Sequence, residues 1–567
     1  MQTQTKADMA HCIIFPAMPK IPFWVFILIA IVYFTAIRVD TMDIDASQYA
    51  SMSREMLDSH NWLFLFDRGH EYLDKPPFLM WVSALSMKLF GIGNFGYKLP
   101  SILFALWALY ATYRLTRLLY NETTARMAAL ILGTAQGVFL MTNDVRTDTI
   151  LMSCVITAIW LIKEWDITRK YGYLFGGFFF IGLGMMTKGP IALLVPGFCF
   201  ASDWALKREW KKFFNPAYLL GIVIIAIVLL PMSIGLYQQF DMHPEKSVNG
   251  LTHVSGLRFF YWSQSFGRIT GESPWNNGAG ITFLLENMLW SFLPWILVLV
   301  PAISVNVISL VRQRFRLTPS QEWISTGGFL LAYLSLGSSA YQLPHYIFVA
   351  FPLAAIIVAS SMAAYMERGA QKPMYKVLQP ALMVVSVLLT LVALLLISYV
   401  FASGAVAIAL WAVGVGILCY MVFVRKVAGK LILVPAAVMI FANVFVTNCM
   451  YYQLLQYQVG SQMGKYIHNN KIPIDQFMTY KMRDPLNSLA FYAQHLTLGA
   501  DTIDNITPDR KYILTMDEGY ADLQQKGFAP AIIKQGVLFK VSELTPEFLN
   551  PATRSKAVKN YYLVKVK

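Results

Sequence analysis

Long apolar runs alternate with short polar connections along most of the chain. Several of these runs exceed the roughly 18 residues that indicate a membrane-spanning helix. The pattern therefore predicts a polytopic α-helical membrane protein with about 13 transmembrane helices. The runs begin near Ile21, Ser101, Ala125, Thr149, Tyr173, Ile191, Ala217, Ile281, Trp323, Leu343, Gln379, Ala405 and Leu431.

The pattern changes after about residue 454. Apolar runs shorten to the length of a β-strand at residues 511–515 and 561–566, and turn signals such as Lys526-Gly527 lie between them. We interpret residues 1–454 as the transmembrane module and residues 455–567 as a small soluble α/β domain.

Basic residues occur in every second connection between the predicted spans. Because Lys and Arg concentrate in the cytoplasmic loops of membrane proteins, these connections and the N-terminus are predicted to be cytoplasmic. The polar loops 38–99 and 238–280 and the C-terminal domain then lie on the far side of the membrane. The basic connections contain Arg114, Arg117, Arg126, Lys163, Arg169, Lys170, Lys207, Arg208, Lys211, Lys212, Arg312, Arg314, Arg316, Arg368, Lys372, Lys376, Arg425, Lys426 and Lys430.

The composition supports this interpretation and excludes other classes. Apolar residues make up 56% of the chain, charged residues make up only 14%, and the mean hydropathy is +0.50. Soluble domains have about 25% charged residues, so the chain is neither a large soluble protein nor a disordered one. The net charge of +14 follows from the basic loops and does not indicate nucleic-acid binding. The five cysteines are scattered, which argues against a disulfide framework or a cysteine metal site.

Acidic residues stand at two predicted span ends on the far side. Asp43 and Asp45 follow the first apolar run and could bind a metal, accept a proton or orient a hydroxyl. Asp148 opens the fourth run, at a depth where a carboxylate usually has a partner, and Arg146 and Lys75 are candidates for that partner. The structural alternative is that Asp45 and Asp148 are helix N-caps, with Asp45 and Gln48 forming a capping box.

Two lysines and a histidine lie on the same side. Lys75 precedes two prolines that favour an extended backbone, and a lysine presented in this way near the headgroups suits a phosphate or diphosphate. Lys188 lies in a tight Gly-Pro turn at the membrane edge, outside the basic loops. His345 could titrate or bind a metal. The alternatives are a lysine that snorkels to the interface and a purely structural histidine.

The convergence of these groups says more than each group alone. Two acidic sites, two phosphate-suited lysines and the His345-Tyr346 pair all fall on the far side of the membrane. Charged groups at this depth are costly and mark functional sites. The sequence therefore predicts a site at the outer membrane edge, open to lipid, that handles a negatively charged substrate.

The order of these motifs resembles a known family. They are similar to successive motifs of the polyprenyl-phosphate-sugar-dependent glycosyltransferases with the GT-C fold. The similarity is to the branch that contains the lipid A 4-amino-4-deoxy-L-arabinose transferases (ArnT-like) and is related to the protein O-mannosyltransferases. It runs through about residues 20–365 and rests on Asp45 with Tyr49-Ala50, Lys75-Pro76-Pro77, Arg146-Thr147-Asp148, Lys188-Gly189-Pro190 and Pro344-His345-Tyr346.

The resemblance implies roles for individual residues. Asp45 would be the first-loop acid that acts as a base or orients the acceptor, and Asp148 would be the second catalytic acid. Asp74 stands where the branch has Glu and is the candidate ligand for a divalent cation. The histidine that the branch has before Arg268 is absent here, which leaves the metal and the acceptor open. Donor-phosphate contacts would come from Tyr72, Lys75, Arg146 and Lys188, and the substrate pocket from Asp43, Arg268, His345 and Tyr346.

The resemblance also implies an activity. The protein would move one sugar from undecaprenyl phosphate to lipid A, or to another glycolipid or glycan, with inversion at the anomeric carbon. It would lie in the bacterial inner membrane with its active site on the periplasmic side. The alternative function is a secondary transporter or a lipid flippase. The charges lie at span ends and the sequence shows no inverted repeat, and both features favour the transferase.

Overall fold

The computed structural model describes residues 20–566 except 249, 265–266, 271–274, 369–372, 425–428, 483–485, 496, 498 and 508, and the side chains of 268–269, 368, 373–376 and 424 also lie outside the description. Up to residue 454 the described chain is almost entirely helical. A short antiparallel hairpin interrupts the helices, with two residues in each of its strands, β1 (Phe66–Asp67) and β2 (His70–Glu71). The helices of this part are α1 Trp24–Thr35, α2 Asp45–Asp58, α3 Phe78–Phe90, α4 Asn94–Leu119, α5 Glu122–Gly133, α6 Gln136–Asn143, α7 Thr147–Thr168, α8 Tyr171–Lys188, α9 Ile191–Lys207, α10 Ala217–Leu236, α11 Gly256–Arg258, α12 Gly267–Thr270, α13 Phe283–Ser291, α14 Ile296–Arg312, α15 Ile324–Gly337, α16 Phe351–Arg368, α17 Pro373–Leu395, α18 Ala405–Cys419, α19 Lys430–Phe445 and α20 Tyr452–Leu454.

Each apolar run of the sequence contains a helix. Among the described residues, six helices are long and apolar enough to cross a membrane, and a seventh span results if α5 and α6, which are bent by 52°, are counted together. This confirms a helical protein with several membrane spans, whereas the count of about thirteen stays a prediction. The six helices are Asn94–Leu119, Ala217–Asp241, Pro344–Glu367, Val377–Val400, Ala405–Phe423 and Lys430–Tyr457.

Helix α7 lies at the centre of the membrane part and packs against α4, α8 and α9. Gly184 of α8 makes this packing close, because a Cβ atom there would lie 2.8 Å from the Cβ of Ala192 and 3.3 Å from that of Cys154. Lys188 follows Gly184 by about one helical turn. The close contact therefore brings Lys188 to the N-terminal end of α7.

The loop 38–99 is folded. Tyr49 and Met52 on the apolar face of α2 pack against Leu79 and Met80 of α3, and Phe491 from the C-terminal region completes this cluster. The start of α2 therefore has a fixed place beside the ends of the membrane helices.

The C-terminal region combines helices with a five-stranded sheet of order β4-β3-β5-β7-β6. Strand β3 is parallel to β4 and β5, and β7 is antiparallel to β5 and β6. The two runs that predicted strands lie in β5 and β7, which are neighbours in the sheet. The elements are α21 Val459–Asn469, β3 Phe477–Tyr480, α22 Asn487–Ala493, β4 Gly499–Ala500, β5 Tyr512–Met516, α23 Asp517–Gln525, β6 Ala531–Leu538, α24 Pro546–Leu549 and β7 Lys559–Lys565.

Candidate active site

The first predicted acid begins helix α2. Asp45 is the first residue of the helix, and Ile44, not Asp45, occupies the N-cap position. The capping box considered from the sequence is absent, because the side chain of Gln48 donates to Asp67 Oδ2 at 2.8 Å. Asp45 instead forms an ion pair with Arg146, 101 positions later in the chain, and 29% of its side chain is exposed.

Arg146 connects two acidic side chains. It lies just before α7 with an extended backbone, and its Nη1 contacts Asp45 while its Nε donates to Asp144 Oδ2 at 2.7 Å. Burial raises the pKa of the Asp144 carboxyl, and the neighbouring guanidinium opposes that rise. Two carboxylates therefore offset the charge of Arg146. This arrangement suits a residue that orients Asp45 better than the predicted free phosphate ligand.

The second predicted acid is deeply buried and paired. Asp148 is the second residue of α7, the N-cap position belongs to Arg146, and only 1% of the Asp148 side chain is exposed. Its Oδ1 accepts from Lys188 Nζ at 2.5 Å, and its Oδ2 lies 3.7 Å from His345 Nε2. The Lys188 ammonium also lies 3.9 Å from the ring centre of Tyr346. The partner of Asp148 is therefore Lys188, and neither Arg146 nor Lys75, the candidates from the sequence, fills that place.

The third group surrounds Lys75. Its Nζ lies 2.8 Å from Asp74 Oδ2, and the side-chain amide of Gln264 donates to the backbone carbonyl of Asp74. The Tyr72 hydroxyl is buried and has no hydrogen-bond partner within the described part of the chain. Burial raises the pKa of this phenol, and the carboxylates of Asp74 and Asp45 raise it further. Tyr72 is therefore protonated at neutral pH and can donate a hydrogen bond to a ligand.

Two pockets meet at Tyr72. The first is narrow and mostly apolar and has Lys75 in its wall. The second is larger, polar and open to solvent. Apolar and polar spaces thus lie side by side, as a ligand with a lipid tail and a polar head requires. Tyr72 lines both, together with Leu63, Leu65, Leu73, Pro76, Pro77, Met232, Leu236, Gln239 and Phe260 in the first and Gln48, Asp67, Arg68, His70, Glu71, Asp74, Ser247, Val248, Gly250 and Trp275 in the second.

His345 connects these groups. Besides its contact with Asp148, it lies close enough to Lys188, Arg146 and Lys75 for all three charges to act on its ring. The structure therefore gathers the predicted lysines, the arginine, Asp45 and Asp148 at one end of the helix bundle.

Two predicted pocket residues stand apart. The Asp43 carboxylate accepts from Ser488 N, Ser488 Oγ and Ser47 Oγ at 2.8, 2.9 and 3.1 Å. Both of its oxygens therefore have partners within the protein, and its place in the substrate pocket stays a prediction. The side chain of Arg268 lies outside the described residues.

Asp74 is the residue that the sequence suggested as a ligand for a divalent cation. Across the described residues, no three His, Cys, Asp or Glu side chains come together in a group that could hold a metal ion. Asp74, the candidate ligand, is already paired with Lys75. Within the described residues, Asp74 therefore has no companions that would complete a metal site.

Two charged residues at this end of the bundle were not singled out from the sequence. Asp144 belongs to the same motif as Arg146, yet nothing in the motif shows that it shares the guanidinium. Lys98 is fully buried, and its ammonium donates to the carbonyls of Val39 at 2.8 Å and Asn143 at 3.1 Å. The sequence placed Lys98 in the polar loop 38–99, where a lysine gives no signal, whereas the structure includes it in α4.

Comparison with known proteins gives a family match for part of the chain. Residues 74–234 match the family model described as dolichyl-phosphate-mannose-protein mannosyltransferase. This segment includes Lys75, Arg146, Asp148 and Lys188, so it covers most of the charged groups described above.

Curated relatives are similar over part of their length. The undecaprenyl phosphate-alpha-4-amino-4-deoxy-L-arabinose arabinosyl transferase of Edwardsiella ictaluri is 28% identical over 57% of this chain and 55% of its own. An enzyme of the same name from Pseudomonas fluorescens is 24% identical over 65% of this chain and 62% of its own. The chain thus matches about 55–62% of the length of these two relatives.

Solved structures extend the similarity to nearly the whole chain. The crystal structure of ArnT from Cupriavidus metallidurans bound to undecaprenyl phosphate has a TM-score of 0.71 and 16% identity, and covers 95% of this chain and 97% of that one. The Archaeoglobus fulgidus oligosaccharyltransferase in its apo form has a TM-score of 0.50 and 11% identity, and covers 87% of this chain and 70% of that one. The chain therefore has the GT-C fold of ArnT, and the predicted resemblance to the ArnT-like glycosyltransferases is confirmed.

Proposed function

We propose that the protein is an integral-membrane glycosyltransferase that moves one sugar from undecaprenyl phosphate to an acceptor at the membrane surface. The observation that carries the proposal is the pair of pockets at Tyr72, one apolar with Lys75 in its wall and one polar beside Asp74. A transporter would need a path across the bilayer, whereas this site lies at one end of the helices. The names of the relatives and of the ArnT structure support a lipid-phosphate donor.

The donor phosphate would bind Lys75 and Tyr72. The narrow apolar pocket beside them marks the side from which the lipid would approach, so that its tail can remain within the membrane. In the free protein Lys75 is neutralised by Asp74 at 2.8 Å. We therefore infer that the phosphate replaces Asp74 as the partner of Lys75, while the Tyr72 hydroxyl donates to a second phosphate oxygen.

Transfer would be a single displacement at the anomeric carbon. The acceptor oxygen forms a bond to this carbon while the bond to the phosphate oxygen breaks, and the phosphate leaves with the electron pair. Lys75 stabilises the negative charge that develops on the leaving phosphate. A hydroxyl acceptor would give its proton to Asp45, whose carboxylate Arg146 holds in place. A phosphate acceptor needs no base, and Asp45 would then only orient it.

Asp148 would hold neighbouring side chains of the site in place from its buried position. Its contacts fix Lys188 and His345, which keeps two basic groups close to the position of the reacting phosphate. Only 1% of its side chain is exposed, so a direct reaction with the acceptor would require movement. We therefore assign the proton transfer to Asp45 and the orientation of Lys188 and His345 to Asp148.

The placement in the cell follows from the same proposal. We propose a multi-pass protein of the bacterial inner membrane with about 13 spans, with the site and the C-terminal region in the periplasm. The acceptor would be lipid A or another glycolipid or glycan that is exposed there. The basic connections of the chain would then all face the cytoplasm.

Mass spectrometry of lipids and glycans tests the proposal. Cells with the gene, without it, and with Asp45→Asn are compared. We expect a mass of one sugar on an acceptor lipid or glycan only in cells with the unaltered protein, with the donor accumulating in the other two. Identical spectra from all three strains would refute the transferase, and uptake or flipping of a substrate in their place would establish the alternative.

A further inference from the structure

The segment that leads into α2 is held by residues from the C-terminal region. The side chain of Gln458 accepts from Asp43 N at 2.6 Å and donates to the carbonyl of Thr41 at 2.9 Å. The hydroxyl of Tyr492 accepts from Thr41 N at 2.7 Å. Gln458 is fully buried, so water cannot replace these bonds. The backbone of Thr41 and Asp43 is thus fixed by groups more than 400 positions later in the chain.

The side chain of Asp43 adds a second connection. Its two oxygens accept from the N–H and the hydroxyl of Ser488 at the start of α22, and one of them also accepts from Ser47 in α2. Burial raises the pKa of this carboxyl, and these three hydrogen bonds oppose the rise. Asp43 therefore joins α22 to the first turn of α2.

The residue between Asp43 and Asp45 has an unusual backbone. Ile44 has φ 87° and ψ −127°, a conformation that a β-branched residue adopts only when its surroundings impose it. Its side chain is 46% exposed, so packing of that side chain does not explain the conformation. The carbonyl of Ile44 accepts from the side chain of Asn487 at 3.3 Å. The same carbonyl accepts from Gln48 N at 3.1 Å and from Ser47 Oγ at 3.3 Å, so the C-terminal region and the first turn of α2 hold Ile44 together.

We propose that the contact of Asp43 with Ser488 positions Asp45 for the reaction, and that Asp43 and Ser488 are positioning residues. The inference rests on the proposed function. When the contact is lost, Ile44 can relax to a negative φ, which turns the first residue of α2 and moves the Asp45 carboxylate away from Arg146. The C-terminal region then takes part in transfer without touching the substrate.

A set of single variants of the full-length protein in lipid nanodiscs tests this role. Asp43→Ala removes the carboxylate, Ser488→Ala removes one of its donors, and Asp43→Asn keeps an acceptor for the Ser488 N–H. The matched control is Ser51→Ala, because Ser51 Oγ also donates across the contact between α2 and α22, to the carbonyl of Asn487 at 3.1 Å. Turnover with the donor and acceptor that the mass spectrometry identifies, and binding of undecaprenyl phosphate, are measured for each variant.

We expect turnover to fall at least tenfold in Asp43→Ala and about three- to tenfold in Ser488→Ala. Asp43→Asn should retain turnover within about threefold of the unaltered protein, and Ser51→Ala within about twofold. The affinity for undecaprenyl phosphate should stay within about twofold in all four, because the donor site is untouched. A loss of turnover without a loss of donor binding separates positioning from substrate contact.

Three results would overturn the inference. They are unchanged turnover in Asp43→Ala, a weaker affinity for undecaprenyl phosphate in that variant, and an equal loss of turnover in the Ser51→Ala control.

Hydrogen exchange gives a readout that needs no substrate and does not depend on whether the Asp43→Ala variant folds. In Ser488→Ala we expect amides of residues 44–48 to exchange at least tenfold faster at an unchanged melting temperature, and unchanged exchange would also overturn the inference. An unaltered protein that neither binds undecaprenyl phosphate nor transfers sugar would instead contradict the proposed function, and the exchange measurement would still test the positioning contact.

Discussion

The two ends of helix α7 carry the same kind of ion pair in different settings. At its start, Asp148 pairs with Lys188, which lies 40 positions away in the chain, and Arg146 pairs with Asp45, which lies 101 positions away. At its other end, Asp166 pairs with Lys163 and Arg169 at the three-residue spacing of a helix, and also with Lys212. Both carboxylates are largely buried, at 1% exposed for Asp148 and 9% for Asp166, and the ends differ in their cations, since Lys188 is 14% exposed whereas Arg169 is 57% exposed.

This difference distinguishes the ion pairs of a candidate active site from the ion pairs that are common on helix surfaces. Pairs at helical spacing form on most charged helices and contribute about 0.5 kcal/mol or less. A buried pair between distant segments has to offset the cost of removing both charges from water, so its stability alone does not explain its presence. We therefore expect the start of α7 to serve the reaction. We expect the charges at its other end to serve only the orientation of the helix in the membrane, and the following variants test this difference.

The largest effect is expected for Asp148→Asn. The substitution keeps the shape of the side chain but leaves Lys188 with an unmatched charge and His345 without its partner. Transfer should fall by about 100-fold or more, which corresponds to about 3 kcal/mol of lost electrostatic stabilisation. The measurement is the rate of sugar transfer in membranes, normalised to the amount of folded protein.

The control for this variant is Asp203→Asn. Asp203 is also buried and pairs with Lys207 at 2.9 Å, but at the end of α9 that is remote from the site. We expect this variant to unfold more easily and to keep its transfer rate within about threefold. An equal loss of transfer in the two variants would erase the distinction between the two ends.

A smaller effect is expected for Arg146→Lys. A lysine has the charge of arginine but lacks the planar group that contacts Asp45 and Asp144 together. We expect transfer to fall by about 10- to 30-fold, since Asp45 loses its fixed orientation. The matched variant Arg169→Lys should transfer at the normal rate, and a normal rate in Arg146→Lys as well would show that bridging is unnecessary.

An opposite effect is expected for Asp74→Asn. The substitution removes the carboxylate that competes with the donor phosphate for Lys75. Undecaprenyl phosphate should bind about fivefold more tightly, a gain of about 1 kcal/mol. Binding to the protein in nanodiscs measures this. Weaker binding, together with a requirement for Mg²⁺, would contradict the exchange of partners and support the cation site predicted for Asp74.

The smallest effect is expected for Asp166→Asn at the other end of α7. Its three cationic partners can turn to water when the carboxylate is lost, so the free energy of unfolding should change by about 1 kcal/mol or less. The transfer rate should not change. Thermal unfolding and the transfer assay together check this result, and a loss of transfer would mean that this end also serves the reaction.

The sequence predicted where the charges lie better than how they pair. Motif order and apolar periodicity placed Lys75, Asp148, Lys188 and His345 near one another, because the ends of successive helices on one side of a bundle are neighbours. The partner of Asp148 was not predictable in the same way. It depends on the close packing of α8 at Gly184 and on side-chain conformations that no local pattern records.

The contacts of Asp43 were even less predictable from the sequence. Its partner Ser488 is 445 positions away, in a region whose apolar runs predicted strands but not a contact with the first loop. The positive φ of Ile44 was equally hidden, because isoleucine is among the residues least suited to that conformation. Tertiary contacts impose both features, and one sequence alone gives no record of them.

Binding of undecaprenyl phosphate to Lys75→Ala tests the central claim most directly. The control is Lys212→Ala, which removes a lysine that pairs with Asp166 and Glu209 far from the site. We predict that Lys75→Ala in nanodiscs binds at least tenfold more weakly than the unaltered protein, whereas Lys212→Ala binds normally. Equal affinity in all three proteins would contradict a donor-phosphate site at Lys75.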